Sequence, residues 1–242
     1  MLNPKGLPVD GARNFSNGWM PPIYQGMPVR AGDTPVLNLK PRSSDDIARA
    51  RLELTQQFNR EHFKARSDQL ELEARIASFE LAARMQLEAT DALDLSKETK
   101  ETRALYGMDK SETETYARQL LLARRLIERG VRFVQVLHNG QPWDTHKNNE
   151  RDLRTLCHAT DQPTAALLAD LRQRGLLEDT LVIWGGEFGR TPMAQDKDGR
   201  DHHKHAFSLW TAGGGIKGGV TYGKTDDFGY RVVENPVTIA DF

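Results

Sequence analysis

Residues 180–192 read TLVIWGGEFGRTP, and this stretch decides the fold that the sequence predicts. Its apolar first half is typical of a buried strand, and its glycine-rich second half is typical of a loop that leaves the sheet. Residues 131–137, VRFVQVL, form an earlier run of the same kind, and the stretch between the two runs contains Leu167, Leu168 and Leu171 at helical spacing. The order strand, helix, strand predicts two parallel strands joined by a right-handed crossover.

The loops that follow these two strands are expected at one edge of the sheet, which is where open α/β proteins bind ligands. A third strand is predicted over residues 206–210, AFSLW, after a loop rich in Gly, Asp and His. If this strand runs antiparallel, its start lies at the same edge.

Composition divides the 242 residues into three regions. Residues 1–42 are rich in glycine and proline and are predicted to be loop over a core. Residues 43–130 are predicted to be helical, with one or two long helices over 44–88 that start after Ser44. Two apolar stripes at helical spacing support this: Leu72, Ile76, Phe79 and Ala83, then Tyr116, Leu120, Ala123 and Ile127. Residues 131–242 are the predicted α/β region.

The overall composition excludes several classes of protein. Lysine plus arginine number 33 against 34 aspartates plus glutamates, so the net charge of −1 provides no field that would gather nucleic acid. The single cysteine, Cys157, cannot form a disulfide within the chain. No apolar stretch is long enough for a membrane span, and the first residues lack the pattern of an export signal.

Three segments at the predicted sheet edge carry residues of the types that bind metals. They are WDTH at 143–146, GGEFGR at 185–190 and GRDHHKH at 199–205. Zinc and similar divalent metals take imidazole nitrogen and carboxylate oxygen from three or four side chains on separate loops. Because all three segments lie at one predicted edge, the sequence predicts a divalent metal site there.

Each group also has a purely structural interpretation. Asp144 could cap the following helix with His146 in solvent, and Glu187 could pair only with Arg190. The histidines at 202, 203 and 205 could form an exposed polar loop, whereas His138 and His158 are expected to be structural.

Two arginines, Arg190 and Arg200, flank the same predicted loop. A guanidinium fork binds phosphate, sulfate or carboxylate oxygens in pairs, although a surface salt bridge is the alternative. The glycine run at 213–219 lacks the spacing and the following helix of a phosphate-binding loop, and we interpret it as a turn.

Several longer strings resemble the bacterial family known as domain of unknown function 1501, which is common in planctomycetes. They are residues 123–133, 143–146, 170–177, 186–192, 199–202, 212–219 and 225–230. The resemblance extends over nearly the whole chain. The family is similar to the sulfatases and the alkaline-phosphatase superfamily, and this similarity implies an α/β fold with a mostly parallel sheet flanked by helices, incomplete here at both ends.

The resemblance also implies a metal site and a role for one arginine. By similarity the ligands are Asp144, His146, Glu187 and His202, with His203 a further candidate and Arg190 the residue that binds the oxyanion. Zinc or manganese is the expected metal, with calcium and magnesium still open. The sequence departs from superfamily phosphatases, since one residue rather than three separates Asp144 from His146, and Glu187 and Phe188 replace an Asp-His pair.

The superfamily places an acidic strand and the nucleophile in an upstream half, and the family continues beyond the last residues of this chain. The chain is therefore expected to be an inactive fragment of a parent that is exported or periplasmic. The leading hypothesis is a metal-dependent hydrolase domain for phosphate or sulfate esters of small molecules or glycans. The alternative is a non-catalytic binding domain on the same fold.

Overall fold

The computed structural model describes residues 1–21, 24–32, 35–36, 43–88 and 90–242. They form helices and small antiparallel sheets, so the chain has a mixed α/β architecture. The chain divides into two compact units, Met1–Gly140 and Gln141–Phe242. No helix in the described ranges is both long and apolar enough to cross a bilayer. The composition boundary predicted near residue 42 lies outside the described residues.

Helices dominate the first unit. They are α1 Asp45–Lys64, α2 Leu70–Glu88, α3 Thr90–Leu93, α4 Lys100–Leu105 and α5 Glu114–Glu128. The long helices predicted over 44–88 are present, and α1 begins after Ser44 with Asp45 and Asp46 in its first turn, where negative charge favours the helix dipole. The described part of this unit also contains two short 3-10 helices, Gly11–Phe15 and Leu95–Lys97.

The core of this unit forms where α5 meets the N-terminal segment and α3. Leu122 and Leu126 of α5 belong to a buried cluster with Met1, Val29, Ala31, Ala92 and Leu93. The same helix buries Arg124 and Arg125 against the carboxylate of Glu98, which lies between the second 3-10 helix and α4. Of the stripe predicted on α5, Leu120 and Ala123 are buried and Tyr116 and Ile127 are half-buried, so the stripe is confirmed in part.

The stripe predicted on α2 is only partly correct. Leu72 and Ile76 are half-buried, but the side chain of Phe79 is 70% exposed. The physical reason is that the apolar residues of α2 are distributed around the helix instead of along one side. Spacing alone could not select the buried face of such a helix.

The first predicted strand, residues 131–137, does not form a strand in the structure. Its side chains still alternate between partly buried and exposed positions. Val134 and Val136 pack on the core, whereas Phe133 is exposed. Its backbone lies beside the start of the chain, with the Leu137 amide donating to the Met1 carbonyl at 3.0 Å. The segment belongs to the first unit and the strand at 182–184 to the second, so the predicted β-α-β unit is absent.

The second unit contains one long helix and three strand pairs. The helix is α6 Asn149–Gln173, and the strands are β1 Val182–Trp184, β2 Gly189–Gln195, β3 Gly199–His203, β4 Trp210–Ala212, β5 Lys224–Thr225 and β6 Val232–Glu234. Among the described residues, β1 pairs with β4, β2 with β3 and β5 with β6, all antiparallel. A mostly parallel sheet is therefore not present in the described part of the chain.

Two strand boundaries differ from the prediction. The third predicted strand, at 206–210, is observed only from Trp210 onward, although it does run antiparallel to β1. Residues 189–195 and 199–203, predicted as loops, are instead paired in a hairpin. Their sequences are polar and lack apolar alternation, so only the hydrogen bonds between them reveal a strand pair.

Candidate metal centre

The β2–β3 hairpin provides one side of the candidate site. Arg190 of β2 lies directly opposite His202 of β3, and Gln195 lies opposite Gly199 next to the turn. The turn contains Asp196 at φ 56°, a left-handed conformation that aspartate tolerates better than most residues. Arg200 supports the turn, because its side chain donates to the carbonyls of Asp198 and Gly199. Its guanidinium is thus used within the hairpin.

The loop of residues 144–148 lies against this hairpin and provides the other side. The Arg200 amide donates to the Thr145 carbonyl at 2.9 Å, and the Asn148 amide donates to the Asp198 carboxylate at 2.8 Å. Gly199 permits this approach, since a Cβ atom there would lie 1.8 Å from the His146 carbonyl oxygen. Backbone contacts therefore determine the distance between the two segments that carry the candidate ligands.

Three candidate ligands meet at this junction: Asp144, His146 and His202, whose donor atoms all lie within 4.8 Å of one another. Asp144 Oδ1 is 3.0 Å from His146 Nε2 and 3.2 Å from His202 Nε2. The two imidazole Nε2 atoms are 3.1 Å apart. The three donor atoms thus form a nearly equilateral triangle.

The size of this triangle fits a transition metal. Metal–ligand bonds of about 2.0–2.1 Å at tetrahedral or octahedral angles separate neighbouring ligand atoms by about 2.9–3.4 Å. All three edges of the triangle lie in that range. Two imidazole nitrogens and one carboxylate oxygen form a donor set typical of zinc, manganese and iron, so these residues fit such a metal. Three protein ligands also leave coordination positions open, as catalytic sites do.

Gln195 orients the imidazole ring of His146, one of these three candidate ligands. Its Oε1 atom is 2.6 Å from Nδ1 of His146. A carbonyl oxygen can only accept, so Nδ1 carries the proton and Nε2 presents its lone pair toward the triangle. A hydrogen bond to the other ring nitrogen is how proteins commonly orient metal-binding histidines. Sequence analysis did not identify Gln195, because a glutamine in a polar strand carries no distinctive signal.

The carboxylate of Asp144 is ionised, and Arg190, His146 and His202 contact it. Burial by itself would raise its pKa, but the hydrogen bond and charge of Arg190, with smaller contributions from His202 and His146, keep the pKa below its usual value. Asp144 therefore offers a negative oxygen at neutral pH.

The remaining predicted residues occupy other positions. Glu187 is not part of the triangle, and its carboxylate accepts from Arg190 Nη2 at 3.1 Å. Arg190 Nη1 contacts Asp144, so the arginine links the two carboxylates. Its guanidinium also lies 5.4 Å from the centre of the Phe188 ring.

His203 lies outside the triangle too. It is buried, and its Nε2 atom is 2.7 Å from the Tyr230 carbonyl oxygen. Because adjacent residues of a strand point to opposite faces, β3 directs His202 to the site and His203 to the interior.

The fold and the site define a class of protein: a mixed α/β chain with a cluster of two histidines and one aspartate suited to a divalent metal. The model of the family described as "Protein of unknown function (DUF1501)" matches residues 1–242, and the chain belongs to this family. No curated protein and no solved structure matches the chain significantly.

Proposed function

We propose that Asp144, His146 and His202 bind a divalent transition metal, zinc or manganese, and that the domain is a metal-dependent hydrolase of phosphate or sulfate esters. The observation that supports the metal site best is the triangle of donor atoms with edges of 3.0, 3.1 and 3.2 Å. Histidine side chains that are 38% and 50% exposed leave this triangle accessible to a substrate.

Hydrolysis is proposed because the three residues would leave open positions on a bound metal, and Arg190 is held beside them. A metal in such a site polarises an ester oxygen and activates bound water. Arg190 would bind the oxyanion of the ester with its fork, as guanidinium groups do for phosphate and sulfate. Its partner Glu187 has a side chain that is 59% exposed, so a substrate oxyanion can replace this carboxylate at Nη2. The proposed substrate is then a phosphate or sulfate ester of a small molecule or glycan, whose anionic oxygens can accept two hydrogen bonds from the arginine.

One observation favours the alternative, a non-catalytic binding domain. The threonine hydroxyls next to the ligands in sequence already make structural hydrogen bonds. Thr145 contacts the Asn149 side chain, and Thr191 donates to the Met193 carbonyl while accepting from the Asp201 amide. Neither hydroxyl is offered to a substrate as a nucleophile, which favours a binding role for these two segments.

Calorimetric titration of the purified protein with zinc and with manganese tests the metal site. We expect one metal per chain and an affinity at least tenfold lower in His202→Ala. His158→Ala removes an exposed histidine of α6 that is not among the three candidate ligands, and its affinity should be unchanged. Equal effects of the two variants, or no saturable binding, would contradict the proposed site.

Activity is tested separately on aryl phosphate and aryl sulfate with each metal supplied. Turnover that is lost in His202→Ala and retained in His158→Ala supports the hydrolase. Stoichiometric metal binding without turnover on either ester class, measured on the full-length gene product, supports the binding domain instead.

A further inference from the structure

A second candidate site lies in the same unit, and none of its lining residues belongs to the Asp144, His146 and His202 triangle. It is a cavity of about 490 Å³ between one face of α6 and the strand pair β1–β4, and its lining includes Trp143, Trp184, Trp210, Thr160, Asp161 and Thr164. This volume falls within the range of about 300–1,000 Å³ usual for small-molecule sites. The cavity is thus large enough for a small organic ligand.

The aromatic lining comes from separate elements that the fold brings together. Trp184 and Trp210 are cross-strand neighbours of β1 and β4, with ring centres 6.4 Å apart and planes within 9° of parallel. Trp143, from the loop before α6, meets Trp184 at 87° with ring centres 5.7 Å apart. A ligand in the cavity therefore meets indole rings in two perpendicular orientations.

The charged group in the cavity lining is negative. Among the described residues that line it, Asp161 is the only ionisable acidic or basic side chain apart from the thiol of Cys157, and none is a lysine, arginine or histidine. Asp161 lies four residues after Cys157 and three before Thr164, so it belongs to the face of α6 that lines the cavity. The electron-rich faces of tryptophan attract cations, and a carboxylate adds to this attraction, whereas an anion finds no partner here.

We propose that this cavity binds an organic cation, a quaternary or alkylated ammonium group. Indole rings in two orientations around a compact cation, with a carboxylate beside them, are the chemistry by which proteins recognise such groups. The proposal does not depend on the metal site, and it can be tested on the metal-free protein.

Tryptophan fluorescence provides the measurement, because three of the four tryptophans line the cavity. The probes are choline and its neutral carbon isostere, 3,3-dimethylbutan-1-ol, which has the same shape without the charge. We expect saturable quenching by choline and at least tenfold weaker binding of the isostere. Equal affinities would show an apolar pocket without cation selectivity, and no quenching by choline up to 100 mM, about a hundred times a 1 mM Kd, would also overturn the proposal.

Two substitutions on α6 add a matched comparison. Asp161→Asn is expected to weaken choline binding several-fold while leaving the isostere unaffected. Glu150→Gln removes the same charge from an exposed position of α6 outside the cavity and should change neither. If both variants weaken choline equally, the attraction is a general charge effect and the assigned cavity is wrong. Trp184→Phe, which keeps an aromatic ring at this cross-strand position, should lower choline affinity more than isostere affinity.

Discussion

Asp144 is the residue on which the metal centre depends most. Its Oδ1 atom lies near both histidine nitrogens, and the same atom contacts Arg190. The guanidinium therefore has two effects: it keeps the carboxylate ionised, and it holds the carboxylate in place without a metal. A site organised in this way has little reorganisation to undergo when a cation arrives.

Gln195 is predicted to act as a positioning residue through His146. Gln195→Leu removes the acceptor at Nδ1, so the imidazole can rotate or adopt the other tautomer, and zinc affinity should fall about 10–100-fold. Calorimetry measures the affinity, and Gln173→Leu at the exposed end of α6 is the matched control. An unchanged affinity in Gln195→Leu would show that the 2.6 Å contact does not orient the ligand.

Gly199 is predicted to maintain the distance between the two ligand segments. Gly199→Ala places a Cβ atom 1.8 Å from the His146 carbonyl, so the backbone must separate. We expect a loss of about 1–3 kcal/mol in the free energy of unfolding and at least tenfold weaker metal binding. Denaturant unfolding and calorimetry provide the two values. Gly218→Ala, where an added Cβ meets nothing within 4 Å, should behave like the wild type, and metal affinity that survives in Gly199→Ala would contradict this role.

At the scale of elements, α2 and α5 differ in what their apolar residues contribute. Leu121 of α5 is fully buried, whereas Phe79 of α2 is 70% exposed. Leu121→Ala should therefore cost about 2–5 kcal/mol in the free energy of unfolding, and Phe79→Ala less than about 1 kcal/mol. Urea unfolding compares the two. A larger cost for Phe79→Ala would mean that a partner covers this face of α2.

The contact of α5 with the segment before α4 is predicted to be acid-sensitive. The Glu98 side chain is 7% exposed and lies between Arg124 and Arg125. Burial alone would raise the pKa of Glu98, but the hydrogen bonds and charges of the two arginines outweigh it and lower the pKa below the usual 4.5. A folded-state pKa that is lowered stabilises the protein above the unfolded value, and this stabilisation is lost as the pH falls through the folded value.

Glu98→Gln tests this account, because it removes the carboxylate that the two buried arginines share, while Arg124 keeps Glu128 at 2.8 Å. We expect it to cost about 3–5 kcal/mol at pH 7, measured by urea unfolding. The difference from wild type should narrow below pH 4.5 as Glu98 of the wild type becomes protonated. Glu101→Gln, at an exposed position of α4, should stay within about 0.5 kcal/mol at both pH values. A difference that is constant with pH would contradict the role of the Glu98 charge.

At the scale of the whole molecule, the three proposed ligands all belong to the unit Gln141–Phe242. A metal at a hundred times its Kd stabilises the state that binds it by about 2.7 kcal/mol. Hydrogen exchange with and without zinc should therefore show increased protection in peptides from 141–242, and little change in peptides from 1–140. Increased protection confined to residues 1–140 would place the metal elsewhere.

The helices, but not the arrangement of the strands, could be predicted from local pattern. Helical spacing of apolar residues identified α2 and α5, but it selected a buried face only on α5, where Leu120 and Ala123 are buried. The ligand types were also visible, since aspartate and histidine concentrated in three short segments. The extended segment at 131–137 was recognisable as well, but its partner was not, because an apolar run does not encode which strand lies beside it.

Tertiary structure decided the composition of the site and the pairing of the strands. His202 enters the triangle and the adjacent His203 does not, because a hairpin of polar residues assigns them to opposite faces. Glu187 binds Arg190, and Gln195, 49 residues from His146 in sequence, becomes its hydrogen-bond partner. Sequence determines which chemical groups are present and where apolar residues recur at helical or strand spacing. Backbone contacts between distant segments determine which of those groups come within bonding distance.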